Sequence, residues 1–425
     1  MAYLLWMAIV GIFLWPSAAW ATAETLYVRP AAACANNGDG TAYTCAASGG
    51  SPGAYRTFVN VLENATDETA GQVDPGDTLY VCGAHTDQFT YGATGGSTVG
   101  SGVVGNRITI SFNCPGDTGS IVGTGNNYAF YTEQNYLDII NPTAQGGNIV
   151  TFMLYTNTGG DTQVRHITVT GGTIHDNAVP TEKCLEARGQ DITITGVTVY
   201  NCYTDGIWLK GKRLTIRNNT VSQVSTGDLN GDCIQLSGAV DGSILSGNSC
   251  DHTNIDSKYC YLASAVTDTG IVRFDNNTCV RNSTDTVGSG IFIETGGIAT
   301  RNIITGGVSG IQCAINDGAS SCNVYGNLIN TANTTGIRVG GAAGTKANVY
   351  NNTIIGATTC MQVDTNNASV MFKNNICQGQ TTGINKAPAG GAPIDSHNLF
   401  YQISGNNLVV NGTPTTPGTG SLLAT

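Results

Sequence analysis

Four short stretches carry almost the same text: Ile216-Arg-Asn-Asn-Thr-Val221, Phe274-Asp-Asn-Asn-Thr-Cys279, Val349-Tyr-Asn-Asn-Thr-Ile354 and Phe372-Lys-Asn-Asn-Ile-Cys377. Extending that register places Gly172, Val197, Asn219, Asn248, Asn277, Asn302, Asn327, Asn352, Asn375 and Asn398 at intervals of 22 to 29 residues. Units of this length cannot bury an apolar face alone and must stack on their neighbours, so the period marks a coiling repeat. Within one unit Leu214, Ile216 and Val221 face inward while Thr215 and Arg217 face outward, the two-residue alternation of strands. Asparagine suits the corners because it tolerates left-handed backbone angles and its amide can bond to the identical amide one rung away. The predicted fold is all-β: a single-stranded right-handed parallel β-helix, a solenoid whose handedness follows the bias of parallel crossovers.

Composition agrees with a coil of short loops. Only 11% of the 425 residues are charged, against about 25% in an ordinary domain, and 57 are glycine. Met1 to Ala23 reads as a secretory signal, with an apolar run from Leu4 to Trp15, a breaker at Pro16 and cleavage before Glu24. That run is short of the roughly 20 residues a membrane span needs. Fourteen cysteines then imply disulfides and an oxidising compartment, extracellular, periplasmic or at the cell surface. Close neighbours along the chain are Cys34 with Cys45, Cys82 with Cys114, Cys184 with Cys202, Cys313 with Cys322, and Cys360 with Cys377. Cys250 and Cys279 fall in one inward slot of successive rungs, where they are either bonded or stacked. A net charge of −11 argues against nucleic acid and anionic membranes as partners. The mature protein is read as a monomer with no membrane contact after signal cleavage.

Along the chain, residues 24–115 form an N-terminal cap with the first rungs and residues 116–425 the regular solenoid. Tyr55 to Glu68 reads as a cap helix with Phe58, Val59 and Leu62 on one side, covering the open end of the coil. Pro75-Gly-Asp-Thr-Leu-Tyr-Val81 and Arg107-Ile-Thr-Ile-Ser111 follow as early strands. This order of strand, cap helix and P-G-D-T-[LIV]-Y-V resembles the secreted pectate-lyase-like β-helix proteins, a likeness that implies a superfold and not a reaction. The Pro/Gly/Thr/Ser stretch from Pro414 to Thr425 supplies no closing cap and reads as a truncated end.

A second register runs beside the asparagines. The rungs share a strand related to x-G-I-x-[LIV], and its first position reads Lys183, Asp205, Asp232, Lys258, Ser289, Ser309, Thr335, Thr359 and Thr382. Four charged residues therefore stack on consecutive rungs roughly 5 Å apart before the ladder turns to Ser/Thr. At that spacing Asp205 and Asp232 can raise one proton affinity or hold a cation, with Lys258 coupled to them. Trp208, Gln235, Tyr261 and Phe292 read as the outward neighbours, and aromatic faces beside proton-transfer groups are what binding and cleaving a sugar polymer require. Asp-Gly is also an ordinary corner, and a lysine beside an aspartate an ordinary surface pair.

Tyr203-Thr-Asp-Gly206, Asn230-Gly-Asp-Cys-Ile234 and Ser257-Lys-Tyr-Cys260 resemble the N-T-D-G, G-D-D-C-I and G-H-G rungs of polygalacturonase-type glycoside hydrolases. Asp205 matches the first Asp and Asp232 the second of the pair; Gly231 replaces the other Asp, Lys258 the His, and no R-I-K follows. The replaced Asp is that family's proton donor, so the departures point from inverting hydrolysis toward β-elimination at a uronate. Lyases of this superfold are similar in using Lys or Arg as the base.

The expected protein binds and cleaves an extracellular polysaccharide. Lys258 is the candidate base, Asp205 and Asp232 are catalytic cation or water ligands, and Trp208, Tyr261, Gln235, Phe292 and Lys183 contact substrate. Calcium is the candidate cofactor, held by Asp205, Asp232, Asp228 and Asp256. His252, Glu294 and Arg273 are weaker candidates; His166 and His175 read as structural. The rival readings are a non-catalytic adhesion or glycan-binding solenoid and a glycoside hydrolase with an altered site.

Overall fold

The computed structural model describes residues 23–49, 51–58, 62, 73–91, 101–123, 125–154, 164–176, 183–224, 231–253, 258–264, 270–282, 284, 286–315, 320–330, 334–342, 345–364, 369–386, 394–410 and 412–424. The signal segment 1–22, Asp228 and Asp256 lie outside them. Of the expected cap helix, Phe58 and Leu62 are described; both are helical, with Phe58 buried and Leu62 packed on the core.

Three parallel sheets form the walls of one coil. Sheet 1 runs from Thr25–Val28 to Ile394–Ser396, sheet 2 from Ala84–His85 to Leu422–Ala424, and sheet 3 from Phe89–Tyr91 to Leu408–Val410. The chain visits sheets 1, 2 and 3 in turn, so each strand pairs with its counterpart one rung on, and the sheets cross position 116 without a break. Thr413–Pro414 folds back antiparallel on Val409–Val410 at the end of sheet 3.

The corner between sheets 1 and 2 divides between two residues the tasks assigned above to one asparagine. The first of each Asn-Asn pair takes the left-handed angle: φ is 54° at Asn218, 55° at Asn276, 56° at Asn351 and 55° at Asn374. The second turns inward and builds the ladder. Asn219 donates from its backbone and its amide to Asn248 Oδ1 at 3.1 and 3.0 Å, Asn248 does the same to Asn277, and the pattern continues to Asn398. Each amide also donates to a carbonyl of sheet 1, as Asn302 does to Phe274 at 3.1 Å. Buried polar groups are tolerated only when paired, and here every rung satisfies the next.

Inside, apolar side chains stack rung on rung. Phe89, Phe130 and Phe152 lie ring on ring at 4.3 Å spacings. All fourteen cysteines are paired, the five neighbouring pairs named above among them. Cys250 and Cys279 are stacked in register, each bonded instead to the start of a sheet 3 strand, at Cys233 and Cys260.

Candidate functional site

The outward face of sheet 3 carries the residues of interest, and the strand register decides which of them reach it. Leu185 pairs with Ile207 and Ile207 with Ile234, which aligns Lys183, Asp205 and Asp232 as expected. Asp232, however, pairs with Tyr259, and Tyr259 with Ser289. Lys258 therefore stands one residue before the ladder, on the exposed approach to the strand, and Tyr259 occupies the fourth rung.

Because faces alternate along a strand, this one-residue shift turns the neighbouring side chains over. Tyr261 pairs with Ile234, is fully buried, and sets its hydroxyl 2.9 Å from the Asn248 carbonyl and 2.7 Å from that of Thr278. It is a core residue and not a sugar platform; Leu262 takes the place beside Gln235. Cys233 and Cys260 fill the same slot of successive strands, and aligning those cysteines in the sequence would have found the true register. Tyr261→Phe is expected to cost about 1 kcal/mol of stability and leave glycan binding unchanged, checked by thermal unfolding beside a binding titration.

The outward row beyond the ladder reads Glu186, Trp208, Gln235, Leu262 and Phe292. Trp208 lies with Lys183 Nζ 5.0 Å and the Arg188 guanidinium 5.2 Å from its ring centre. Both cations also contact Glu186, at 3.4 and 2.7 Å. Lys210 and Lys212 continue outward on the Trp208 strand. Lys183, Arg188, Lys210 and Lys212 are thus four of the 18 basic residues in the chain, gathered on two adjacent rungs. Phe292 is nearly covered: Tyr259 stacks on it at 4.6 Å, so Phe292 backs Tyr259 and does not offer a free face. Lys258 Nζ stands 5.5 Å from the centre of the Tyr259 ring.

Asp205 and Asp232 are 6% and 2% exposed. Asp205 Oδ1 accepts the Asp232 amide and Asp232 Oδ1 the Tyr259 amide, both at 2.9 Å, so each carboxyl staples its rung to the next. Burial raises the Asp232 carboxyl well above the usual carboxylate range and the Asp205 charge adds to this, against the Tyr259 amide, Lys258 and Arg281. An aspartate whose folded affinity for a proton is raised contributes stability below its unfolded value near 4 and loses it as pH climbs through the folded value. Asp232→Asn keeps an acceptor for Tyr259 and has no proton to lose. The stability difference, variant minus wild type, should therefore rise between pH 4 and pH 8, read as urea midpoints across that range; a flat difference would remove the proton from Asp232.

Arg281 went unnoticed in the sequence. It is nearly fully buried at the end of a sheet 2 strand and donates to the carbonyls of Lys258 at 3.1 Å and Val287 at 2.8 Å, fixing the backbone that carries Lys258. A side chain at Gly307 would meet the arginine stem, and one at Gly288 the Lys258 carbonyl and the guanidinium, so these glycines leave room for it. His252 is buried away from the face, 2.9 Å from Cys233 Sγ, and burial and the Arg281 charge push it down to about 3, so it is no acid or base for a substrate on sheet 3. Arg273 pairs with Asp275 on sheet 1, while Glu294 accepts the Ser264 hydroxyl at 2.6 Å on sheet 3. His166 and His175 lie beside Asp191 and Asp176, off the site.

Among the described residues no third carboxylate or histidine gathers with Asp205 and Asp232. Calcium takes six to eight oxygens, so these residues do not by themselves make a calcium site. Among the described residues one cluster of potential ligands gathers, Cys233, Cys250 and His252, and its two sulfurs are joined in a disulfide.

A family model described as a right handed beta helix region matches residues 154–329. No curated protein matches the chain. Among solved structures, the catalytic unit of a thermostable GH87 α-1,3-glucanase from Streptomyces thermodiastaticus strain HF3-3 is similar with a TM-score of 0.52 and 13% identity, over 82% of this chain and 63% of that one. A mannuronic acid specific polysaccharide family 6 lyase from human gut microbiota gives 0.50 and 14%, over 77% and 81%. An alginate lyase from Paenibacillus sp. str. FPU-7 gives 0.49 and 16%, over 66% and 95%. At such identities the likeness is one of fold. Three parallel sheets coiled around one stacked core, together with the match over residues 154–329, identify the fold of this chain as a right-handed parallel β-helix.

Proposed function

We propose that the protein binds and cleaves an acidic, uronate-containing polysaccharide along the outward face of sheet 3. One observation carries the reading: a cation-flanked Trp208 stands two rungs from Lys258 and Tyr259, across a buried pair of aspartates. Two cations on an indole, with Lys210 and Lys212 further along the same strand, suit a sugar bearing a carboxylate, and they stand out in a chain of net charge −11. Two proteins of the same fold, an α-1,3-glucanase and a mannuronic acid specific lyase, act on polysaccharides, which supports that class of substrate. Seven disulfides support an oxidising, extracellular or cell-surface place of action.

The favoured reaction is β-elimination. Lys258 Nζ, as the free amine, takes the proton alpha to the uronate carboxylate; that C–H pair becomes a C=C bond, the glycosidic C–O bond breaks, and the leaving oxygen takes a proton. Tyr259 lies beside Lys258, and burial pushes its phenol up to about 12, so it holds a proton to give. Asp205 and Asp232 act by position, holding the rung that carries Tyr259. Calcium is a variable of the assay.

The test is incubation with alginate, polygalacturonate and other polyuronates, with and without calcium, following the absorbance of unsaturated ends. Absence of that signal on every substrate sinks the lyase. New reducing ends without unsaturation would favour hydrolysis, a second reading prompted by the raised proton affinity of buried Asp232 next to Asp205.

A further inference from the structure

On sheet 1, a different wall of the coil from the face just described, a cleft of about 380 Å³ is lined by Asn323, Asn348, Tyr350, Met371, Lys373 and Asn374. Two outward rows build it, Asn323–Asn348–Met371 and Tyr325–Tyr350–Lys373, each stepping one rung at a time. We propose that this cleft is a second glycan site, which holds an acidic sugar unit of the same polymer without cleaving it. The substrate class rests on the reading above; the site itself does not.

The lining meets the demands of a sugar, whose apolar C–H face is ringed by hydroxyls. Tyr325 stacks behind Tyr350 at 5.0 Å and 5°, so the Tyr350 ring is held as a fixed wall before any ligand arrives. Met371, 38% exposed, supplies an adaptable apolar floor that water would otherwise cover. Asn348 Nδ2 donates to Asn323 Oδ1 at 2.9 Å. An asparagine amide carries two N–H donors and an acceptor oxygen, so this bond orients both amides and leaves Asn323 Nδ2 and Asn348 Oδ1 to meet sugar hydroxyls. Lys373, exposed at the rim, answers a carboxylate, and Lys346 adds a second exposed cation on the same face. None of the six lining residues is an acid or a histidine, and holding without cleavage is read from the turnover of short substrates in variants of this cleft.

A polymer held on sheet 1 is kept near the protein while another stretch lies on sheet 3, which raises its effective concentration there. The experiment is affinity electrophoresis of the full chain through gels containing alginate or polygalacturonate, with Tyr350→Ala and Lys373→Ala, beside turnover of short uronate oligosaccharides. Both side chains stand on the surface row, and unchanged thermal unfolding verifies that the variants fold. Retardation by polymer should weaken about five- to tenfold in each variant, while turnover of the short substrates stays at the wild-type value. Variants retarded like wild type, or a wild type retarded in neither gel, overturn the second site. A wild type that is retarded through Tyr350 and Lys373 yet releases no products would keep the cleft and remove the cleavage reading.

Discussion

Replacing Asn302 with alanine is expected to lower the stability of the solenoid by about 2–4 kcal/mol, although the side chain touches no substrate and lies far from any loop of interest. Asn302 is buried and its amide serves three partners. Oδ1 accepts from the backbone and the amide of Asn277 at 2.9 and 3.0 Å, and Nδ2 donates to Asn327 Oδ1 at 2.9 Å and to the Phe274 carbonyl at 3.1 Å. Alanine leaves the Asn277 N–H without an acceptor and the Phe274 carbonyl without this donor, at a buried position. Each such orphan costs about 1–3 kcal/mol, more than the net worth of the bond when made. Urea midpoints under oxidising conditions measure it. Asn330→Ala, at an exposed site in the next strand of sheet 2, should stay within about 0.5 kcal/mol of wild type. Equal losses at the two positions would mean that the ladder is decoration on a coil held by its apolar stack.

Lys258→Ala should lower turnover of a polyuronate by about 10²- to 10⁴-fold, the range over which a positioned base contributes. The structure makes this a clean substitution. What Lys258 gives to the fold it gives through its backbone: its N–H donates to the Gly231 carbonyl at 3.2 Å, and its own carbonyl accepts from Ser289 N at 3.1 Å and from Arg281 Nη1 at 3.1 Å. Alanine keeps all three, so thermal unfolding and retardation by polymer should not move. Lys258→Arg separates two roles: it restores the positive charge but cannot surrender a proton at working pH, so it should be as inactive as alanine if the lysine is the base. An active arginine variant would recast Lys258 as a charge that binds carboxylate, and an active alanine variant would move the chemistry elsewhere.

These two residues also illustrate how far the chain could be read before it was seen folded. Asn302 was legible because a ladder residue recurs at every turn, and a repeat averages over local irregularity. Lys258 was legible as a charged residue near the right rung, but its register was not, since the slot after the ladder residue is filled here by Cys260, as by Cys233 one rung before, and the lysine precedes that slot by two residues. Taking Lys258 for the ladder residue displaced the rest of that strand by one, and a displacement of one exchanges core for surface. Tyr261 was assigned to the sugar face on that ground and proves to be core, while Tyr259, its neighbour by two, faces outward with Phe292 behind it. Glu186 and Arg188 escaped notice for another reason: they gain interest from standing one strand away from Trp208, and nothing in their own strand signals it.

The fold, the position of the corners and the axis of the asparagine ladder follow from periodicity in the chain, because stacking makes each unit answer to the same physical demands as the last. The site depends on relations between rungs. Whether Asp232 carries a proton depends on its burial and on Asp205 one turn away, and where Lys258 sits depends on a buried Arg281 from the following turn. The cleft on sheet 1 arises where Tyr325 and Tyr350, 25 residues apart, come ring to ring. Such contacts join residues a full turn of coil apart and set depth and proton affinity through solvent exclusion, a property that belongs to the stacked rungs together and to no single one of them.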